Sequence, residues 1–324
     1  MKNKRMTMTE LANLVGVSQA TVSRAINQPE KVKPEVREKI QYFIDKYRFI
    51  PNENAKTMRG IGSKILGFIV FSFSNYYYLD MIKYAEKLAR EKGYSLLVMN
   101  SEKNAQFEFE HIKMMLARNV EGILIAPVDE QNLDFLETTN VPFVALNEDF
   151  PGHNYVTTSL VEGGEIATKH LIEQGHKNIG YIGGHNRKYN PKLDGVKKVL
   201  KENNLNFKTD SFIKVDTVAL TGDEIEKVLQ NKKLLCSAYV ASNDEVACLF
   251  MKKAIKAGYK IPEDIALVGF DNTIVSKLLD ITSITQPTES MVKAGIEIVL
   301  AGEKTKKEIQ LSPGIEIRKS SINI

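Results

Sequence analysis

The stretch Thr7-Met8-Thr9-Glu10-Leu11-Ala12-Asn13-Leu14-Val15-Gly16-Val17-Ser18-Gln19-Ala20-Thr21-Val22-Ser23-Arg24-Ala25-Ile26-Asn27 reads as two short helices around a tight turn. Thr7 and Glu10 stand at capping-box spacing, so a helix opens after Thr7. Its pattern puts Leu11, Ala12, Leu14 and Val15 on one apolar face. Gly16 stops it, as a glycine just past a last turn does, and Val17 follows as an apolar plug. Ser18 caps a second helix from Gln19 to Ile26 with Val22, Ala25 and Ile26 turned inward; Asn27, Gln28 and Pro29 end it. Pro34 starts a third helix, whose Val36, Ile40, Phe43, Ile44 and Tyr47 form one stripe.

Two helices joined by a glycine-containing turn and braced by a third form a helix-turn-helix pattern. The second helix of such a unit can lie in the major groove and present its N-terminal side chains to base edges. Here those are Gln19, Ala20 and Arg24; glutamine pairs with adenine and arginine with guanine. Thr7, Ser18, Thr21, Ser23 and Asn27 are short polar groups suited to phosphate oxygens, which set register without reading sequence. The charge agrees. Residues 1–64 hold 13 Lys/Arg against 6 Asp/Glu, and the other 260 residues hold 31 against 34. A basic head on a mildly acidic body is the electrostatic footprint of a nucleic-acid binder, with a solvated basic helical bundle as the bland alternative.

From Ile65 the pattern changes. Ile65 to Phe71 is a continuous apolar run, as in a strand buried on both faces. Helical segments then alternate with extended ones at Ser95 to Met99, Gly122 to Ala126 and Val141 to Leu146. The alternation restarts at a helix from Glu162 and continues through strands at Asn178 to Ile182, Ser211 to Val215, Ala238 to Ala241, Ile265 to Phe270 and Thr282 to Thr285. A helix from Thr288 to Ala301 and two short extended pieces finish the chain. Repeated strand–helix–strand units mean parallel sheets, here two Rossmann-like lobes of periplasmic-binding-protein type with a ligand crevice between strand ends. The expected fold class is thus an all-α helix-turn-helix head plus α/β. The expected divisions are 1–48 (head), 49–62 (linker) and 63–324 (body). The first lobe takes about 63–161 plus 288–317, and the second about 162–287 plus 318–324.

Several chemistries find no support. No apolar run approaches the ~18 residues of a membrane span, and no apolar signal core follows the basic N-terminus. Cys236 and Cys248 stand alone, which excludes a disulfide framework and fits a reducing cytoplasm. Phosphate-loop, nucleophile-elbow and histidine metal spacings are absent, so neither a cofactor nor a metal is expected. His170, His176 and both cysteines read as structural.

Gly16 to Asn27, followed by Phe49-Ile50-Pro51-Asn52-Glu53-Asn54-Ala55, resembles the signature and hinge of the lactose/galactose repressor (LacI/GalR) family of bacterial transcription regulators. The resemblance continues through Asn75-Tyr76-Tyr77-Tyr78, His170 to His176, Asn243-Asp244, Ile261 to Ile265, Val268 to Asn272 and Thr285-Gln286-Pro287. It implies a homodimer that grips double-stranded operator DNA and is controlled by a small-molecule effector between the lobes. It also implies a hinge helix formed on DNA, with Met58 where relatives wedge a leucine into the minor groove; on the residues alone, Asn52 can cap and Ala55 and Met58 share a face at i, i+3, with a plain flexible linker as the alternative. A wedge of this kind kinks the duplex at a cost of a few kcal/mol. Alone, so short a helix is unstable. By resemblance Asn243 and Asp271 line the effector pocket and Tyr77 and Tyr78 cover one wall; as local alternatives, Asn243 caps a helix, Asp271 sits in a turn, and the tyrosines belong to the core or the dimer surface. Glu162 stands where many members have aspartate, Lys192 where sugar binders have arginine, and Thr217 where some carry an aromatic residue. Lysine and arginine are not interchangeable at a bidentate site, so Lys192 is a point charge able to meet a hydroxyl or a phosphate. No leucine heptad follows the last core strand, so a dimer is expected. Control by a protein partner, as in the catabolite-control branch, and an enzyme on the same fold are the competing readings.

Overall fold

The computed structural model describes residues 6–49, 62–184, 190–216, 220–230, 235–302 and 305–322. It divides into two compact units, Met1–Ser63 and Lys64–Ile324.

The first unit holds three helices: α1 (Met8–Val15), α2 (Gln19–Asn27) and α3 (Pro34–Tyr47). Each boundary follows from local chemistry. Thr7 and Glu10 close a reciprocal capping box, Gly16 ends α1 at φ 79°, and Pro34 occupies the first turn of α3. Leu11, Ala12, Val15, Val22, Ile40 and Phe49 meet in one small core. Fully burying a side chain such as Leu11 or Ile40 is worth about 1.5–3 kcal/mol. Two stripe assignments need correcting. Leu14 is 45% exposed and Tyr47 42%, because each lies at the margin of its helix's apolar arc.

The second unit is two α/β lobes of matching design. The first contains β1 (Ile65–Val70), α4 (Tyr76–Glu91), β2 (Ser95–Asn100), α5 (Ala105–Ala117), β3 (Gly122–Ile125), α6 (Glu130–Glu137), β4 (Phe143–Leu146) and β5 (Tyr155–Thr158). The chain then enters the second lobe: α7 (Leu160–Glu173), β6 (Ile179–Gly183), α8 (Pro191–Glu202), β7 (Phe212–Lys214), α9 (Asp223–Gln230), β8 (Ala238–Ala241), α10 (Asp244–Lys256), β9 (Ala266–Asp271), α11 (Ile274–Leu278) and β10 (Thr282–Thr285). It returns for α12 (Thr288–Ala301) and β11 (Glu308–Leu311), then crosses back for β12 (Gly314–Glu316). The sheet orders are β11-β5-β4-β3-β1-β2 and β12-β10-β9-β8-β6-β7. Every pairing is parallel except β12 on β10, where Ile315 faces Ile284. Residues 314–316 therefore belong to the second lobe's sheet, not to the first lobe as the sequence division implied.

Alternation along β1 shows how each sheet is covered. Leu66, Phe68 and Val70 pack under α4 and α12, while Ile69 packs with Ile112 and Met115 of α5 on the opposite face. Both faces are dry, which is why these strands read as unbroken apolar runs. In each sheet the chain reverses its direction of travel beside the first strand, between β1 and β3 and between β6 and β8. Such switch points are where open α/β sheets bind ligands.

Candidate DNA-reading helix and effector cleft

Ser18 starts α2 by accepting the Thr21 N–H at 3.1 Å, and Gln19, Ala20 and Arg24 then stand exposed on the outer face. Thr7 and Ser18 are exposed at the starts of α1 and α2, and Thr21 is half-buried. Helix starts offer free N–H groups and a positive dipole end, so caps there suit phosphate oxygens. Ser23 is a correction. It is only 9% exposed because it follows Val22 on the face packed against the other helices, so it is not the open hydroxyl that the sequence reading implied. Asn27 turns its Nδ2 back to the Ser23 carbonyl at 2.9 Å. The hinge residues Asn52, Ala55 and Met58, like Thr217 in the body, lie outside the described residues.

In the body, a cleft of about 440 Å³ opens between the lobes. The first lobe lines it with Phe71 to Asn75, from the turn after β1, and with Asn100, Glu102 and Lys103 at the end of β2. The second lobe contributes Leu220, Asn243 and Glu245, the last two being the cap and a first-turn residue of α10. Both switch points therefore meet at one cavity, of a size normal for small-molecule sites. Asn243 does two things at once. Its side chain caps α10 by accepting the Val246 N–H at 2.8 Å, and the residue lines the cleft. Glu245 spans the lobes: its Oε1 accepts the Tyr76 N–H, at the start of α4, at 2.9 Å. Burial raises this carboxyl to about 7. Sequence reading missed Glu245, whose partner lies 169 residues away.

Asp271 ends β9 at φ 98°, a left-handed conformation that a non-glycine residue adopts only where its surroundings hold it. Its Oδ1 accepts from Gln286 Nε2 at 2.7 Å, and Lys192 Nζ lies 3.9 Å away. Burial raises its pKa, against the pull of Lys192 and Gln286. Lys192 is less available than its sequence position implied. Its Nζ donates to the Ser242 carbonyl at 2.7 Å and sits 3.7 Å from the centre of the Phe270 ring. Neighbouring Asp244 is structural. It accepts from Thr273 N, Thr273 Oγ1 and Ser283 Oγ, pinning the turn after β9 to β10, and burial raises its carboxyl to about 6.

Tyr77 and Tyr78 are not an open wall. The first turn of α4 directs both into the lobe core, each 3% exposed, and leaves Tyr76 and Leu79 outward. The Tyr77 hydroxyl donates to Gln286 Oε1 at 3.3 Å, and the Tyr78 oxygen accepts from Asn147 Nδ2 at 3.1 Å. The aromatic wall is supplied instead by Phe71 and Phe73. Glu162 lies in the first turn of α7, its N–H bound by the Ser159 cap at 3.3 Å, and does not line the cleft.

Facing glycines set the position of Lys192. A β-carbon on Gly164 would collide with the Lys192 carbonyl oxygen, and one on Gly195 with the Val161 carbonyl oxygen. Helices α7 and α8 thus touch backbone to backbone, which fixes where the lysine emerges.

His170 Nε2 meets Ser321 Oγ at 2.7 Å and His176 Nδ1 meets Ser237 Oγ at 2.9 Å, as structural residues do. Among the described residues no group of histidine, cysteine and carboxylate side chains is arranged to hold a metal, and no helix is long and apolar enough to cross a membrane.

Comparison with known proteins agrees at both ends of the chain. The family model for bacterial regulatory proteins of the lacI family matches residues 7–52, and that for a periplasmic binding protein-like domain matches residues 168–321. The HTH-type transcriptional repressor PurR of Photobacterium profundum is 27% identical over 97% of this chain and 98% of its own length. Its counterpart in Pasteurella multocida is 28% identical over the same shares. Among solved structures, the lac repressor bound to ONPG in the repressed state has a TM-score of 0.85 at 25% identity, covering 98% of this chain and all of the other. The lac repressor dimer bound to operator and the anti-inducer ONPF gives 0.85 at 24% identity, over 99% and 100%. With a capped helix-turn-helix at one end and a two-lobed α/β body at the other, the chain carries a lacI-family regulatory domain at residues 7–52 and a periplasmic binding protein-like domain at residues 168–321.

Proposed function

We infer that this protein is a DNA-binding transcriptional repressor whose hold on its operator is set by a small molecule bound between the lobes. The observation that carries the second half is the meeting of both switch points at one cleft that a hydrogen bond from Tyr76 to Glu245 crosses. A ligand in that cleft touches both lobes, so its binding changes their angle. In the head, Gln19, Ala20 and Arg24 read base edges while Thr7, Ser18, Thr21 and Asn27 hold phosphates. The linker carrying Asn52, Ala55 and Met58 winds into a helix on DNA and seats Met58 in the minor groove. Lobe angle and linker winding then form one two-state element that both ligands bias.

The working form is a cytoplasmic homodimer. Relatives include a lac repressor dimer on its operator, and on this chain Ile255, Leu278 and Leu279 are exposed apolar side chains that a second copy would cover. Paired heads make a near-palindromic site the expected target. The test is selection from random duplex DNA with the full-length protein, followed by footprinting with and without metabolite pools. Two half-sites in inverted repeat, with an affinity that a small-molecule pool changes, are expected. Failure to enrich any sequence would overturn the DNA reading, and a response only to a second protein would move control to a protein partner.

A further inference from the structure

We propose that Glu245 is a specificity-determining residue of the cleft, and that it selects an effector that presents an amino or ammonium N–H and carries no phosphate. The inference rests on the cleft being the effector site, as argued above.

Glu245 is 8% exposed, yet it lines the cleft. Its two oxygens are used differently. Oε1 holds the Tyr76 N–H at the start of α4, while Oε2 is buried with no hydrogen-bond partner among the described residues. A buried carboxylate oxygen left unmatched costs stability that a donor would recover. The nearby described groups do not supply one. Lys192 is committed to the Ser242 carbonyl and to Asp271. Asp244, next in the chain, is fully used by Thr273 and Ser283 and adds only like charge. Across the cleft, Glu102 and Lys103 offset one another, and no lysine or arginine among the described residues pairs with Glu245. Two further polar atoms at strand ends, Thr158 Oγ1 and Ser242 Oγ, are also buried without partners among the described residues. A nitrogen donor on the ligand meets Glu245 with the charge-assisted geometry that carboxylates hold best. A phosphate there would face Glu245 and, behind it, Asp271. That repulsion rejects phosphorylated relatives of the same molecule.

The test uses the full-length protein and ligand-observed NMR with glucosamine, putrescine, glucose and glucose 6-phosphate as probes, each at equal concentration. Saturation transfer to at least one amino-bearing probe, and none to glucose 6-phosphate, is expected. In E245Q the amide still accepts the Tyr76 N–H but turns a donor on the ligand, so affinity for the amino probe falls about tenfold or more. Glucose, lacking the nitrogen, changes little. Preference for the phosphorylated probe, equal binding of the amino probe by E245Q, or no amino probe bound overturns the proposal. Selection of DNA by the same preparations separates the two levels: DNA still enriched, and released by some other class of molecule, sinks only the role of Glu245.

Discussion

Gln286 joins the two lobes at the crossover: its Nε2 donates to Asp271 Oδ1 at 2.7 Å and its Oε1 accepts from the Tyr77 hydroxyl at 3.3 Å. One amide thereby satisfies a buried phenol of the first lobe and a buried carboxyl of the second. Replacing it with leucine keeps the volume and strands both. The expected loss is about 1–3 kcal/mol in urea unfolding, the usual cost of an unmatched buried polar group. Tyr77→Phe removes one of the two stranded groups, so Gln286→Leu should cost less in that background than in the native one. Additive losses would mean that the phenol and the amide act independently.

The buried carboxyls make stability depend on pH in an unusual direction. Glu245 is raised from 4.5 to about 7 and Asp244 from 3.8 to about 6, both chiefly by burial. Between the ordinary and raised values the folded state binds more protons than the unfolded one, so these two groups lower stability as pH climbs. His170 and His176 oppose them. Burial lowers both below 6.5, so their contribution is present above that value and is lost as pH falls. The net slope therefore mixes two signs, and Glu245→Gln isolates one. Between pH 5 and pH 8 the native protein should lose on the order of 1–3 kcal/mol more stability than the variant. Parallel curves for the two would show that Glu245 titrates normally.

Gly195→Ala tests the backbone contact that places Lys192. The added carbon meets the Val161 carbonyl, which belongs to a helix and cannot swing away as a side-chain tip would. Overpacking of this kind costs about 1–3 kcal/mol. The urea midpoint should drop with no change in slope, since the folded state alters but the surface exposed on unfolding does not. An unchanged midpoint would show that α7 and α8 separate freely.

What the sequence discloses and what it hides divide along a physical line. Thr7 with Glu10, Gly16, Ser18 and Pro34 act within three or four residues, and each stands where its local chemistry implies. The doubly covered sheets announce themselves as apolar runs because both faces of strands such as β1 are dry. Strand β5, whose partners are β4 and the distant β11, leaves no such mark, and β12 reads as part of the wrong lobe. Nothing within four residues records which sheet a strand joins. The cleft shows the same split. Asn243 is legible as a pocket residue only through the resemblance of its motif, while the cap it also forms is what its local sequence discloses. Glu245 and Gln286 do not read as site residues, since their partners stand 169 and 209 positions away. Tyr77 and Tyr78 mislead because a motif gives residue types without saying which way the first turn of a helix faces.

Arg24 is the side chain of α2 best suited to pair with a guanine edge. Its guanidinium is exposed on the outer face of α2, beyond the small hydrophobic core that holds the helix in place, so removing it leaves the fold intact. Arg24→Ala should therefore keep the native melting temperature and lose preference for the selected operator over random duplex. Weak binding should survive, because phosphate contacts by the caps and the basic head remain, and it should fall steeply with salt as counterion release dictates. A bidentate arginine–guanine pair is worth about 1–3 kcal/mol of discrimination, so the ratio of specific to random affinity should shrink by roughly 5- to 150-fold. The measurement is fluorescence anisotropy on both duplexes at two salt concentrations. An equal proportional loss on both would place Arg24 on the phosphate backbone and leave Gln19 as the base-reading side chain.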